Sequence, residues 1–417
     1  MQYTSMRFIA IASLVGSIWS GESAAANTDA RTFKLDDVIE LALNRNPTLA
    51  AAEGAVEQSQ GQRVAAGAYL NPSIIGAAGP GAIRDPSTGT RIIERTITVE
   101  QPLEWLGKRR ARQRAADARV AGALAGMEET KVMVTAEVKE AFFHLLFAQQ
   151  DAQLARENLK TVEDLVKVVS ARVSTREAAR FELIKATVEL QKSKKDLARA
   201  DNALLVARGK LNTVTGKALG ESFVIQGEFE TVRSGLELRV LTDQALDRHP
   251  ALRRQQRVVE QAEFTIEQER ASRMPNVAVF GTYHRETGDE SMTAGLSVPL
   301  PLWYRRQGEI GSAMGIHRQA QAERDRLQQE LEQTITQYFQ EMQTAQAQMQ
   351  VFEQGFLHQA QEALDIAQFS FRRGATSLLE VIDAQRVNRQ TLLEYAQARA
   401  DHSIALARLE RAVGGLT

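Results

Sequence analysis

The residues able to do chemistry in this sequence are few and poorly placed for it. Its six histidines, His144, His249, His284, His317, His358 and His402, lie without metal-ligand spacing, and none belongs to an HExxH helix. Each reads as a surface or packing histidine. The methionines form no soft-metal stripe, no GxSxG elbow is present, and no nucleophile has a base nearby in sequence. Thr215-Gly216-Lys217 resembles the end of a phosphate loop, but Leu211 occupies the place of its first glycine and Ala218 that of its Ser or Thr. It reads as a helix stop. Cysteine is absent, which excludes a disulfide, a thiol nucleophile and a lipid-bearing cysteine. Glu380 and Asp383 stand three apart, so on a helix they share one face. On that pattern alone such a pair is solvated surface. The sequence describes no enzyme, no metal site and no cofactor.

The formal net charge of −1 offers no basic face to nucleic acid. At the N-terminus, Arg7, the apolar stretch Phe8 to Trp19 and Ala24-Ala25-Ala26 form a secretory signal over residues 1–26, with the mature chain starting near Asn27. Beyond it no apolar run approaches the roughly 20 residues of a spanning helix.

Long helices dominate what remains. No proline occurs between Pro102 and Pro250, and no glycine between Gly126 and Gly209. Either would cost a helix interior about 1 to 3 kcal/mol, so their absence leaves helix uninterrupted. Val138, Phe142 and Leu145, then Leu159, Val162, Val166, Val169 and Val173, fall at helical spacings, and Leu190, Leu197, Leu204 and Leu211 repeat every heptad. Helix from Gly107 to Val173 would be about 100 Å long. Periodicity lapses from Ser174 to Arg180, which predicts a tight reversal and a return helix from about Phe181 to Val214.

Ahead of this run lie two short helices, Leu35 to Leu43 and about Thr48 to Ala66, then two strands with alternating faces. In the second strand Ile97 and Val99 face one way, and Glu94, Thr96, Thr98 and Glu100 the other. The same order returns later in the chain. His249-Pro250 answers Asn46-Pro47, Met274-Pro275 answers Asn71-Pro72, and Phe371 to Ser377 answers the first reversal. The predicted organisation is a tandem duplication. Residues 27–220 hold two strands within 72–101 and a helical hairpin over 107–214; residues 221–417 hold two strands within 276–299 and a hairpin over 303–413.

Four strands with one apolar face match membrane-barrel strands. An open sheet leaves edge N–H and C=O groups unpaired in hydrocarbon, so it must close, and single-chain bacterial barrels begin at about eight strands. The chain therefore oligomerises. Three copies would supply twelve strands, and the same arithmetic admits dimers and tetramers. Trp105 and Trp303, at matching points where strands give way to helices, suit a membrane-interface girdle together with Tyr304. The expected fold is mainly α with a small β part: an α-helical tunnel beneath a closed barrel in outer-membrane lipid. An exported coiled-coil scaffold without a barrel is the rival, and it leaves the strands and tryptophans unexplained.

Several motifs resemble the TolC-like outer-membrane efflux family, over essentially the whole mature chain. They are Leu35 to Pro47, Gln101-Pro102-Leu103-Glu104 with Gly107-Lys108-Arg109, Pro299-Leu300-Pro301-Leu302 with Arg306-Gln307-Gly308, and Leu378 to Gln385. Within the family the chain looks most like the heavy-metal branch typified by the cobalt-zinc-cadmium outer-membrane component. The resemblance implies a homotrimer with a twelve-stranded barrel in a Gram-negative outer membrane. It also implies a periplasmic helical tunnel docked through an adaptor onto a proton-driven RND pump of the inner membrane. The implied cargo is a divalent metal such as cobalt, zinc, cadmium or nickel; a duct for drugs or secreted proteins is the alternative. Many relatives carry a lipid-bearing N-terminal cysteine, so this chain is expected to be unlipidated. Both reversals, with Arg176 and Arg180 in one and Phe371, Arg372, Arg373 and Gly374 in the other, are expected to touch the adaptor. Glu380 and Asp383 match acidic residues that line the tunnel's periplasmic entrance in the family. Lys185 stands where Asp383 stands in the other half, and a pair between these two would hold the entrance closed.

Overall fold

The computed structural model describes residues 31–233, 235–286 and 289–415. The expected secretory signal, residues 1–26, lies outside the described residues. The chain opens with β1 (Arg31–Phe33), α1 (Leu35–Arg45) and α2 (Pro47–Gly67), then strands β2 (Ser73–Arg84) and β3 (Arg91–Leu103). A first hairpin follows, made of α3 (Lys108–Ser174) and α4 (Arg180–Val214). After β4 (Phe223–Ile225) the order returns: α5 (Leu238–Arg248), α6 (Pro250–Ala271), β5 (Val277–Glu286) and β6 (Asp289–Ser297). The second hairpin is α7 (Gln307–Val351), α8 (Leu357–Arg372) and α9 (Leu378–Val413).

The expected long helix is present as one unbroken element of 67 residues, about 100 Å at 1.5 Å per residue. Its counterpart is not continuous. Between α7 and α8 the segment Phe352–Phe356 forms a π-turn around Gly355, whose φ of 134° is a backbone that side-chain-bearing residues avoid. The rings of Phe352 and Phe356 stack at 5.6 Å, and Tyr395 of α9 packs against Phe352 at 5.9 Å. The absence of proline from this run implied helix but did not reveal the interruption.

The heptad leucines form only part of the seam. In α4 the fully covered positions are Ala186, Ser193, Ala200 and Leu211, while Leu190 and Leu197 sit at the margin. Small side chains occupy the line of closest approach because they let two long backbones come together, and the leucines flank them. Near the hairpin ends Asn158 of α3 donates to Ser193 Oγ at 3.0 Å and accepts from Gln385 of α9 at 3.0 Å, joining three helices. Further along, Lys139 and Glu140 of α3 pair with Glu410 and Arg408 of α9 at 2.5 and 3.0 Å.

The main core gathers where α1, α3, α4 and α9 meet, around Val38, Phe142, Phe143, Leu145 and Leu211. It is closed by a two-stranded parallel ladder of β1 on β4, so the start of one half pairs with the start of the other. Neither strand is among the elements expected from the sequence. A three-residue strand lacks the alternation that would reveal it.

Strands β2, β3, β5 and β6 form one antiparallel sheet in that order, joined across the halves by β3 and β5. The predicted faces are as expected. Thr98 and Thr282 face each other with hydroxyls 3.0 Å apart, and Thr96 meets His284, all on the polar face. Ile74, Ile97, Val99, Val279, Met292 and Leu296 are exposed on the other.

Candidate functional site

The helix pairs bend back at two tips that lie together. Phe371, Leu378 and Val381 of the second tip pack with Val169 and Ala186 of the first in one apolar cluster. Each reversal closes by the same hydrogen bonds. Glu177 N–H donates to the Arg172 carbonyl at 2.8 Å, and Ala375 N–H to that of Ser370 at 2.9 Å, the six-to-one bond of a Schellman motif. The left-handed position is Gly374 in one tip, with φ 75°; in the other it is Arg176, with φ 62°.

The predicted docking residues separate in this geometry. Arg176, Arg180, Arg372, Arg373 and Gly374 are all exposed at the tips. Phe371 is 4% exposed, with the Arg172 guanidinium 5.1 Å from its ring, so it fastens the tips together and presents no surface to a partner. An aromatic beside arginines reads as surface in sequence; helical phase turns it inward. Exposed apolar side chains stand nearby instead, Phe181, Ile184, Phe369 and Leu379.

Just past the second reversal, Ser377 caps α9 through its hydroxyl, and Glu380 and Asp383 follow on the exposed side. Asp383 accepts from Arg386 at 2.6 Å. Within the chain the expected pair between Lys185 and Asp383 is not formed. Lys185 instead puts its ammonium 4.5 Å from the Phe181 ring on its own helix. The local partners compete successfully because one helical turn brings them together without any tertiary constraint.

At the opposite end of the helices, the sheet passes into a junction built on arginines. Arg109 and Arg112 of α3 donate to the last carbonyls of α2, Gly67 and Ala66, both at 2.8 Å, and Arg112 also grips Glu104 at 2.6 Å. In the second half Arg306 holds Glu269 at 2.5 Å. The first two bonds satisfy helix-end carbonyls, and the ion pairs tie the strand ends and short helices to the long ones. Around them lie Trp105, Leu106, Leu300, Leu302, Trp303 and Tyr304, all exposed. The Tyr304 hydroxyl donates to Glu309 at 2.5 Å and accepts the Gly308 N–H at 3.1 Å, tying this collar to the first turn of α7.

Two of the histidines have structural roles. Burial holds the His249 imidazole below its usual pKa, and neutral His249 caps α6 by accepting the Ala251 N–H at Nδ1. Its Nε2 lies 3.2 Å from the Arg411 carbonyl. In the matching place Asn46 accepts the Thr48 N–H and donates to the Val214 carbonyl, both at 2.7 Å. His402 is buried within α9, and that burial lowers its pKa as well. A third histidine was missed as a ligand candidate. Across the β3–β5 register His284 lies beside Glu94 and Glu286, with one ligand atom from each within 4.8 Å of the others. Sequence spacing places only His284 and Glu286 on one face of a strand; pairing with β3 is what brings Glu94 to them.

Comparison with known proteins agrees with this architecture. The protein-family model described as outer membrane efflux protein matches residues 38–217 and 241–415. Among curated proteins, the cobalt-zinc-cadmium resistance protein CzcC of Cupriavidus metallidurans is 26% identical over 382 residues, 91% of this chain and 90% of the relative. The pyoverdine export outer membrane protein OpmQ of Pseudomonas aeruginosa is 23% identical, with coverage of 91% and 84%. Among solved structures, CusC, described as forming a transmembrane channel, superimposes with a TM-score of 0.76 at 18% identity, covering 92% of both chains.

Proposed function

The chain belongs to the outer membrane efflux protein family, and from that premise we propose that it is the outer-membrane duct of a tripartite pump exporting divalent heavy-metal cations. It is an efflux channel component of the outer membrane and not an enzyme. The observation carrying the proposal is the four-stranded sheet with one exposed apolar face and two unpaired edges, β2 and β6. In hydrocarbon such edges must find partners, and among the described residues no helix is long and apolar enough to cross a membrane. Three chains of four strands each close a twelve-stranded barrel, edge to edge. The helical hairpins then hang beneath it as a periplasmic tunnel. The exported-scaffold reading has no use for such a sheet.

A tandem duplication accounts for the paired details. Asn46 and His249 cap matching helices, and left-handed residues recur as Arg176 with Gly374, Gly107 with Arg306, and Lys217 with Gly415. The family match also falls in two segments, one in each half. Trp105, Trp303 and Tyr304 then form the inner-leaflet girdle, where amphipathic rings settle at headgroup level.

At the far end the tips meet the adaptor through Arg176, Arg180, Arg372, Arg373 and the Gly374 turn. The adaptor in turn joins a proton-driven RND pump of the inner membrane. Threefold symmetry gathers Glu380 and Asp383 from each chain into an acidic ring at the entrance, the arrangement that commonly lines cation pathways. Metal as cargo is supported by the CzcC relative, and the OpmQ relative marks the alternative, a small-molecule duct. Expression in a Gram-negative host lacking its own metal-efflux duct, with a cognate adaptor and pump, decides between them. Restored growth in cobalt, zinc, cadmium or nickel with lower cell metal is the expected result. A heat-modifiable trimer that restores export of a siderophore or drug but no metal tolerance would overturn the cargo assignment.

A further inference from the structure

We propose that Glu94, His284 and Glu286 form a binding site for a divalent transition-metal ion, one in each chain, on the polar face of the sheet. His284 and Glu286 are alternate residues of β5, and Glu94 lies on the adjacent β3, so all three project to the side that carries Thr96, Thr98 and Thr282. That side becomes the lumen if the apolar face meets lipid. The cluster sits next to the β5–β6 turn, about 23 Å along the strand from the helical junction at 3.3 Å per residue. It therefore belongs to the distal mouth of the barrel.

The imidazole stands between the two carboxylates. Its Nδ1 is 3.4 Å from Glu94 and its Nε2 is 3.9 Å from Glu286. One ligand atom from each residue lies within 4.8 Å of the other two. Ligand atoms around one metal at about 2.1 Å lie roughly 3 to 3.5 Å from each other, so the carboxylates must swing by roughly 1 to 2 Å to meet an ion held on a single ring nitrogen. Thr96 Oγ1, 3.1 Å from Nδ1, steadies the ring, the outer support that metal-binding imidazoles normally have. On the far side the Ile83 N–H faces Glu286 Oε1 at 3.4 Å, and a side chain at Gly81 would collide with that carboxylate. Strand β2 leaves room for Glu286 by having glycine there.

Charge supplies an independent argument. Among the described residues neither Glu94 nor Glu286 has an arginine or lysine partner; the imidazole is their only ion-pair neighbour. Arg95 and Arg285, one residue away on each strand, face each other on the opposite side of the sheet. Two carboxylates held this close repel, and a dication relieves that repulsion. Nitrogen with two carboxylate oxygens suits zinc, cobalt or nickel and disfavours magnesium or calcium, which seek oxygen alone. Three protein ligands leave coordination positions to water, which makes the ion exchangeable. The role as a last station before release rests on the metal-duct reading, whereas the binding does not.

The test uses the purified full-length protein in detergent, loaded with Co²⁺ and dialysed. Wild type is expected to retain about one Co²⁺ per chain with a visible ligand-field band. His284→Ala, and Glu94→Gln with Glu286→Gln, should weaken binding by at least about tenfold and lose the band, while His317→Ala keeps both. Gly81→Val, which touches no ligand atom directly, should weaken binding by displacing Glu286. Heat-modifiable trimer migration verifies that each variant is assembled. Absence of Co²⁺ binding by wild type, or an unchanged spectrum and stoichiometry in His284→Ala, would overturn the site and leave the cluster as a contact of the sheet's polar face alone. Because the readout is binding to purified protein, a duct that fails to confer metal tolerance would refute the cargo and leave the site standing.

Discussion

Replacing Asn46 should expose how much the joint between the short helices and the long hairpin contributes. The side chain performs two tasks at once. Its oxygen caps α2 by accepting the Thr48 N–H, and its amide donates to the carbonyl of Val214, the last residue of α4. That carbonyl has no partner within its own helix, and the residue that meets it is only 7% exposed. Loss of a cap costs about 1 kcal/mol. A buried carbonyl left without a donor costs a further 1 to 3 kcal/mol or so. Asn46→Ala should therefore destabilise the chain by about 2 to 4 kcal/mol. Asn46→Asp separates the terms, since the carboxylate keeps the cap but sets an anionic oxygen against the Val214 carbonyl. It should be no more stable than the alanine variant. Both are measured by urea denaturation of the detergent-solubilised protein, followed by helix circular dichroism at a fixed chain concentration because assembly contributes to stability. A full rescue by aspartate, or a cost for alanine below about 0.5 kcal/mol, would refute the bridging role and reduce Asn46 to an ordinary cap.

The matching residue makes a pH prediction. Burial depresses the His249 pKa, so the unfolded chain takes up the proton first as pH falls; the contribution is whole above about pH 6.5 and is lost as pH drops through the folded value. His249→Asn, which copies Asn46, should flatten the fall in stability between about pH 7 and 5, and an unchanged slope would exclude His249 as its source. Burial shifts His144 and His402 the same way, so some slope will remain. Gly374→Val should abolish metal tolerance at unchanged trimer yield, since the left-handed turn at the tip tolerates no branched residue; full tolerance would remove this turn from the docking surface. Glu380→Ala with Asp383→Ala should weaken divalent-cation block and cation selectivity in planar-bilayer recordings, and wild-type conductance with wild-type block would return both to plain surface.

The long elements were legible because their causes are local. A proline-free run rich in good helix formers from Lys108 to Ser174 needs no distant residue to be helical, and the alternation of Ile97 and Val99 with Thr96 and Thr98 needs only a surface to divide. The reversals at Arg176 and Gly374 were legible for the same reason, since a helix stop is written in neighbouring residues. What depends on which strand or helix lies alongside was not. The ladder of β1 on β4 joins segments that have no local signal, and the seam of Ala186, Ser193 and Ala200 is visible only once a partner helix defines the closest approach. Helical phase against that partner also decided that Phe371 faces inward and that Lys185 remains on its own helix. The cluster of Glu94, His284 and Glu286 is the clearest case. Sequence determined that β3 and β5 alternate, and hence which face each residue takes. Pairing in one particular register then brought an imidazole and two carboxylates together, because hydrogen bonds between strands fix neighbours that no spacing along the chain encodes.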